Sequence, residues 1–224
     1  MLLSTLQIDP ETSSSQSTSR KLQRVFFAVC LLLGPCLVSL LLALGLPGHP
    51  TQWGLLIGLF ALVVFLPFGT VGMTVLAMRR SPWLATIGGF LALTGFIAYG
   101  MIVVWQEELI YYSALLGGGK PFTTLYDHIN ADPVMNALLL VFIIGHLIGP
   151  MLLGIALGRS HLIPLWATWA LILRVPLQAS GFIAQIGLTM EIFTYGLLLL
   201  GSFPIALAWL KDAGDQLPTS CATR

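Results

Sequence analysis

The sequence predicts an all-α membrane protein, a bundle of six kinked transmembrane helices with both termini in the cytoplasm and one long outward loop between helices 3 and 4. Three observations predict it: scarce charge, six apolar runs of spanning length, and basic residues confined to one set of run ends. Hydrophobic residues fill 57% of the 224 positions and charged residues 8%, against roughly 25% charged in an average soluble domain. Too little polar surface remains to cover a core in water, so the bilayer is the expected solvent.

The runs extend over Val25–Leu46, Trp53–Met78, Trp83–Gln106, Pro133–Leu157, Leu162–Gly187 and Met190–Leu210. Each reaches the roughly 20 residues that a helix needs to cross about 30 Å of hydrocarbon. Together they make one transmembrane domain, residues 25–211, with no space for a soluble catalytic domain. Residues 1–24, rich in Ser and Thr without apolar periodicity, read as a disordered cytoplasmic tail, and residues 212–224 as a C-terminal one. The first run is too long for a cleavable signal core.

With the first helix starting inside, Arg20, Lys21, Arg24, Arg79, Arg80, Arg159, Lys211 and Arg224 are cytoplasmic and Lys120 is the outer basic residue. This is the positive-inside pattern. Trp53, Trp83, Trp105, Trp166 and Trp209 fall near run ends, where an amphipathic ring prefers the headgroup zone. Basic residues spread over turns are topology signals, so no nucleic-acid partner is implied. Cys30, Cys36 and Cys221 have neither metal-site nor disulfide spacing.

The turns at Arg79–Pro82 and Gly158–His161 are short and predict antiparallel neighbours. The segment Glu107–Asp132 is too long for a plain turn and reads as a functional or mobile loop. Gly117–Gly119 should break the preceding helix, and Thr123–Asn130 could form an amphipathic turn with Leu125 and Ile129 facing inward. Asp132 before Pro133 reads as an N-cap and first helical residue. Kinks are expected at Pro35, Pro67, Pro150, Pro176 and Pro204. Gly145 and Gly149, then Gly154 and Gly158, form small-xxx-small pairs suited to close helix packing. The run Ala77 to Thr86 echoes Ala156 to Thr168, either by duplication or because membrane turns converge on Arg, Ser and Pro.

The fifth run carries the informative polar residues. Arg174, Gln178, Gly181 and Gln185 fall on one helical face, which should point into the bundle. A guanidinium near mid-membrane costs at least about 2.5 kcal/mol without partners. Expected partners are Glu191, Glu107, Glu108 or the carbonyls freed by Pro176. His146 lies at similar depth in the fourth run, and the outer loop bearing Asp127 and His128 would roof an outward-opening ligand site. The competing reading of these residues is a buried ion pair that fixes helix packing.

Sharper chemistries fail on spacing. A bis-histidine haem lacks a second intramembrane histidine, zincin and nucleophile-elbow motifs are absent, and Gly117–Lys120 lacks the Ser or Thr that completes a phosphate loop. No cofactor or metal is expected.

The segments Arg79-Arg80-Ser81-Pro82-Trp83-Leu84-Ala85 with Gly95-Phe96, and Gly145-His146-Leu147-Ile148-Gly149-Pro150 running through Arg159-Ser160 to Pro164-Leu165-Trp166-Ala167, resemble a family of small bacterial six-helix integral membrane proteins of unknown function. The resemblance implies a six-helix bundle in a bacterial cytoplasmic membrane and carries over no catalytic residue. Three function classes follow. The first is non-enzymatic binding or passage of a small or lipid-like ligand at Arg174, Gln178, His146 and Glu191. The second is a structural or regulatory subunit, whose exposed small-residue faces (Gly88, Gly89, Gly95, Gly100; Gly145, Gly149) meet a second copy or a partner membrane protein. The third is an intramembrane enzyme, which needs titratable groups converging among His146, Glu191 and Glu108.

Overall fold

Long apolar runs become helices here, even across internal prolines such as Pro35, Pro150, Pro176 and Pro204. The computed structural model describes residues 10–44, 51–116, 119–184 and 186–211, without the side chains of 10–17, 103–105, 107–108, 114 and 182. In order the elements are α1 (Pro10–Ala43), α2 (Gln52–Leu59), a π-helical stretch (Phe60–Phe65), α3 (Leu66–Met78), α4 (Pro82–Leu115), α5 (Lys120–Ala131), α6 (Pro133–Arg159), α7 (Leu165–Ile183) and α8 (Gly187–Leu210). Among the described residues there is no strand.

Five segments are long and apolar enough to cross a membrane: Thr18–Ala43, Gln52–Met78, Pro82–Ile102, Pro133–Arg159 and Gly187–Leu210. The chain is therefore an all-helical protein suited to multiple membrane passes. α7, with 19 residues including Arg174 and Gln178, is not among the five. Large apolar side chains such as Phe60, Phe90, Leu140 and Phe203 are exposed on the outside of the bundle, as acyl chains require.

Two elements begin or end away from the sequence expectation. α1 starts at Pro10, so the polar segment expected to be disordered is helical from there. Proline suits a first helical position, and no glycine or proline interrupts the run before Gly34, so the buried helix propagates outward. Likewise α4 continues to Leu115 and α5 follows at Lys120, so the expected loop is mostly helix. Leu125 on α5 is exposed and Ile129 half-buried, so only the latter faces inward. Residues 1–9 and the C-terminal tail at 212–224 lie outside the described residues.

Caps and prolines set the local geometry. Asp132 accepts from Val134 N at 2.7 Å and Met135 N at 3.1 Å, with Pro133 in the position where its missing N–H costs nothing. The π-helical stretch lies directly upstream of Pro67, and there Leu66 N–H reaches back five residues to Ala61 O. Pro67 cannot donate to Val63 O, so the ladder has already loosened where proline would break it.

Arg79, Arg80 and Arg159 sit on turns that are joined at one end of the bundle. Phe27 of α1 lies 5.1 Å from the Trp209 ring of α8, and Trp209 Nε1 donates to Gly72 O of α3 at 3.2 Å. Arg80 Nη1 donates to Ser160 O at 3.2 Å, which ties the α3–α4 turn to the α6–α7 turn. Trp209 is thus a buried packing residue with a satisfied indole rather than a headgroup anchor, whereas Trp53, Trp83 and Trp166 are exposed.

Helix α4 packs chiefly on α6, α1 on α8, and α7 against both α6 and α8. Glycine makes the first contact possible. A Cβ on Gly95 would stand 2.7 Å from Gly145 Cα, and one on Gly149 would stand 2.6 Å from Ala92 Cβ. The small-residue faces expected to line an oligomer interface are therefore used within the chain: Gly88 and Gly95 meet α6, while Gly89 meets Thr74 and Gly100 meets Val63. Gly154 and Gly158 do the same for Leu171 and Thr168 of α7.

Gly149→Val should lower stability by about 1–3 kcal/mol through overpacking. Gly196→Ala, where an added Cβ meets nothing within 4 Å, should be neutral or stabilise by up to about 1 kcal/mol. Thermal unfolding followed by tryptophan fluorescence checks both, and equal effects would remove the backbone-contact account of the α4–α6 seam.

Candidate functional site

Arg174 is the tenth of the nineteen residues of α7, which places it about 13 Å from either helix end. Its side chain is 1% exposed. Nη1 donates to the backbone carbonyl of His146 at 3.2 Å. In a regular helix that carbonyl would accept from the N–H four residues on, and the residue there is Pro150, which has none. Arg174 therefore supplies the donor that proline withholds. The sequence pointed to the carbonyls freed by Pro176 on its own helix; a side chain cannot easily fold back along its own turn, and the neighbouring helix offers the same chemistry.

The rest of the guanidinium rests on aromatic faces. Its carbon lies 5.0 Å from the Tyr195 ring centroid and 5.9 Å from that of Phe96, both in cation–π range. Nε and Nη2 have no hydrogen-bond partner among the described residues. Nor does the Glu191 carboxylate bond to it, although Glu191 sits half-buried one turn from Tyr195 on α8.

His146 occupies an aromatic slot. Its ring stacks on Phe142 at 4.4 Å, Phe142 stacks on Tyr99 at 4.3 Å, and Phe96 approaches edge-on at 6.0 Å. The helical spacings Phe142 to His146 on α6 and Phe96 to Tyr99 on α4 bring these rings to one level. The imidazole is 1% exposed, with the Gln178 side chain and the Phe142 backbone as its polar neighbours, neither at full hydrogen-bond geometry.

Gln178 lies one turn beyond Arg174 and is likewise buried. Thr194 Oγ1 stands 3.5 Å from Gln178 Oε1 and 3.0 Å from Glu191 O. One hydroxyl proton serves the shorter bond, so Gln178 is held weakly. The Gln178 side chain lies beside the His146 ring, and the Tyr195 hydroxyl beside Tyr99 and Arg174, none at full hydrogen-bond geometry. Polar groups buried this way usually cost about 1–3 kcal/mol each, which makes such a concentration informative.

Of the residues singled out in the sequence, the fold thus brings together Arg174, Gln178 and His146, with Glu191 at the edge of the cluster. Asp127 and His128 are exposed on α5, which touches the ends of α4 and α6. Gln185 lies outside the described residues, as do the side chains of Glu107 and Glu108, whose backbone belongs to α4. Sequence reasoning missed Phe96, Tyr99, Phe142, Thr194 and Tyr195. The signal was Thr194 and Tyr195 recurring one turn after Glu191 on α8, and aromatic pairs at helical spacing on α4 and α6. Among the described residues no three His, Cys, Asp or Glu side chains gather as metal ligands would.

Pro150→Ala restores the missing N–H, so Arg174→Met should cost less in that background than in the native one. A double-mutant cycle on unfolding should return a coupling of about 1–2 kcal/mol, and additivity within about 0.5 kcal/mol would remove the proline–arginine link. No family model, curated protein or solved structure matches the chain, so the functional reading stands on this geometry.

Proposed function

We propose that the chain is a six-span protein of a bacterial cytoplasmic membrane, with both termini inside, that binds or passes a small or lipid-like ligand at a polar intramembrane site built on Arg174. In this reading α7 is the sixth span. Its 19 residues reach about 28 Å, enough for most of the hydrocarbon core. Its low apolarity comes from the residues that face α6 and α8. The basic end of the bundle is the cytoplasmic one, and the resemblance to small bacterial six-helix proteins accords with that placement.

One observation supports the ligand reading: a buried guanidinium whose Nε and Nη2 meet no carboxylate or carbonyl, packed beside an imidazole, an amide and a phenol. A device that only locked helices would close its own hydrogen bonds, whereas a binding site holds groups in readiness for an occupant. The subunit reading has less support because the glycine faces are covered by other helices of the same chain.

Topology is checked with single cysteines in a background lacking Cys30, Cys36 and Cys221. A membrane-impermeant maleimide should label Thr124→Cys on intact cells and His161→Cys only after permeabilisation; the reverse pattern overturns the orientation. For the site, native mass spectrometry of protein taken from membranes should show a retained molecule on wild type that Arg174→Leu loses. Identical adducts on both proteins would remove Arg174 from any binding role.

A further inference from the structure

We infer that α5 is an interfacial helix: it lies in the headgroup layer at the end of the bundle far from the arginine turns, with Phe122, Leu125, Tyr126 and Ile129 turned to phospholipid. The inference needs only that α4 and α6 cross the membrane, so it holds whatever Arg174 does.

The four apolar side chains fall within an arc of about 100° on the helix. Thr123, Thr124, Asp127 and His128 lie on the opposite side. No residue of α5 is buried: Phe122 and Ile129 are half-buried, and Leu125 and Tyr126 are 47% and 40% exposed. The bundle thus leaves open the apolar stripe by which a helix of this kind settles on a bilayer.

Helix lengths fix its depth. α4 and α6 run antiparallel from turns joined by Arg80, with Gly95 against Gly145 and Gly88 against Gly149. The 27 residues of α6 and the 34 of α4 reach about 40 and 51 Å, and a bilayer with its headgroups is about 40–45 Å thick. Pro133 therefore falls in the far headgroup layer and Leu115 at its outer edge, and α5 joins these two ends. The surroundings suit lipid. Three of the five tyrosines, Tyr111, Tyr112 and Tyr126, are at this end, as in an interfacial aromatic belt. Exposed Tyr112, Leu115 and Val134 continue the apolar outside of the spans up to α5. Lys120 and Asp127 cancel in charge, so apolar area, rather than attraction to anionic lipid, holds the helix down.

Nitroxide labels test this on full-length protein lacking Cys30, Cys36 and Cys221, with single cysteines at 122, 125, 126 and 129 and at 123, 124, 127 and 128. In phosphatidylcholine vesicles, collision with oxygen, which concentrates in lipid, is compared with collision with a water-soluble nickel chelate. The oxygen-to-nickel ratio should oscillate with a period of about 3.6 residues, rising on the stripe toward the value at lipid-facing Leu140→Cys and falling on the polar side. Replacing part of the lipid with phosphatidylglycerol should leave the pattern unchanged. Stripe labels open to nickel would place α5 in water and overturn the inference. Stripe labels shielded from both reagents would overturn it too, in favour of a second copy if dilution with lipid relieves the shielding and of the bundle itself if it does not. A pattern that appears only with phosphatidylglycerol would overturn the apolar stripe as the cause.

Discussion

A carbonyl that proline deprives of its helical donor and an arginine that meets no carboxylate answer each other's deficit at the centre of this bundle. His146 O lies four residues before Pro150, and Arg174 Nη1 reaches it from the next helix at 3.2 Å. On the proposed six-span reading, a guanidinium at this depth costs about 2.5–3.5 kcal/mol on insertion scales. One charge-assisted hydrogen bond recovers about 1.5–3 kcal/mol, and stacking on Tyr195 and Phe96 adds about 0.5–2 kcal/mol. The charge is therefore tolerable where it lies.

That arrangement depends in turn on how near α4 comes to α6. Because Gly95 lies directly against the backbone of Gly145 and His146, its neighbours Phe96 and Tyr99 are delivered onto the His146 and Arg174 side chains. A larger residue at either glycine would separate the helices and draw the aromatic wall away. Packing in the seam and chemistry in the site are thus consequences of the same close approach.

Most of the architecture was legible because membrane helices announce themselves by length, apolarity and flanking charge. Asp132 with Pro133, the two arginine turns and the inward face of Arg174, Gln178 and Gly181 could all be read from local pattern. The extent of α1 and α4 could not: a helix anchored in apolar surroundings propagates through polar residues that would not nucleate one. Nor could the partner of Arg174. Sequence proximity pointed to Pro176 and Glu191, while the acceptor was a backbone atom on another helix, set free by a proline 24 positions upstream of the arginine. The aromatic residues were overlooked for a related reason, since a buried ring looks the same in sequence whether it packs or frames a charge.

The modest apolarity of α7 bears on how the protein is made. On the proposed six-span reading α6 leaves the ribosome before α7, so the His146 carbonyl would already be lodged in the bilayer when Arg174 arrives. The arginine-bearing segment need not partition into lipid by itself; it can exit the translocation channel against a helix that already holds its acceptor and offers Gly154 and Gly158 for close contact. On that reading Pro150 would serve assembly as well as shape, by keeping one backbone oxygen vacant for the segment synthesised next.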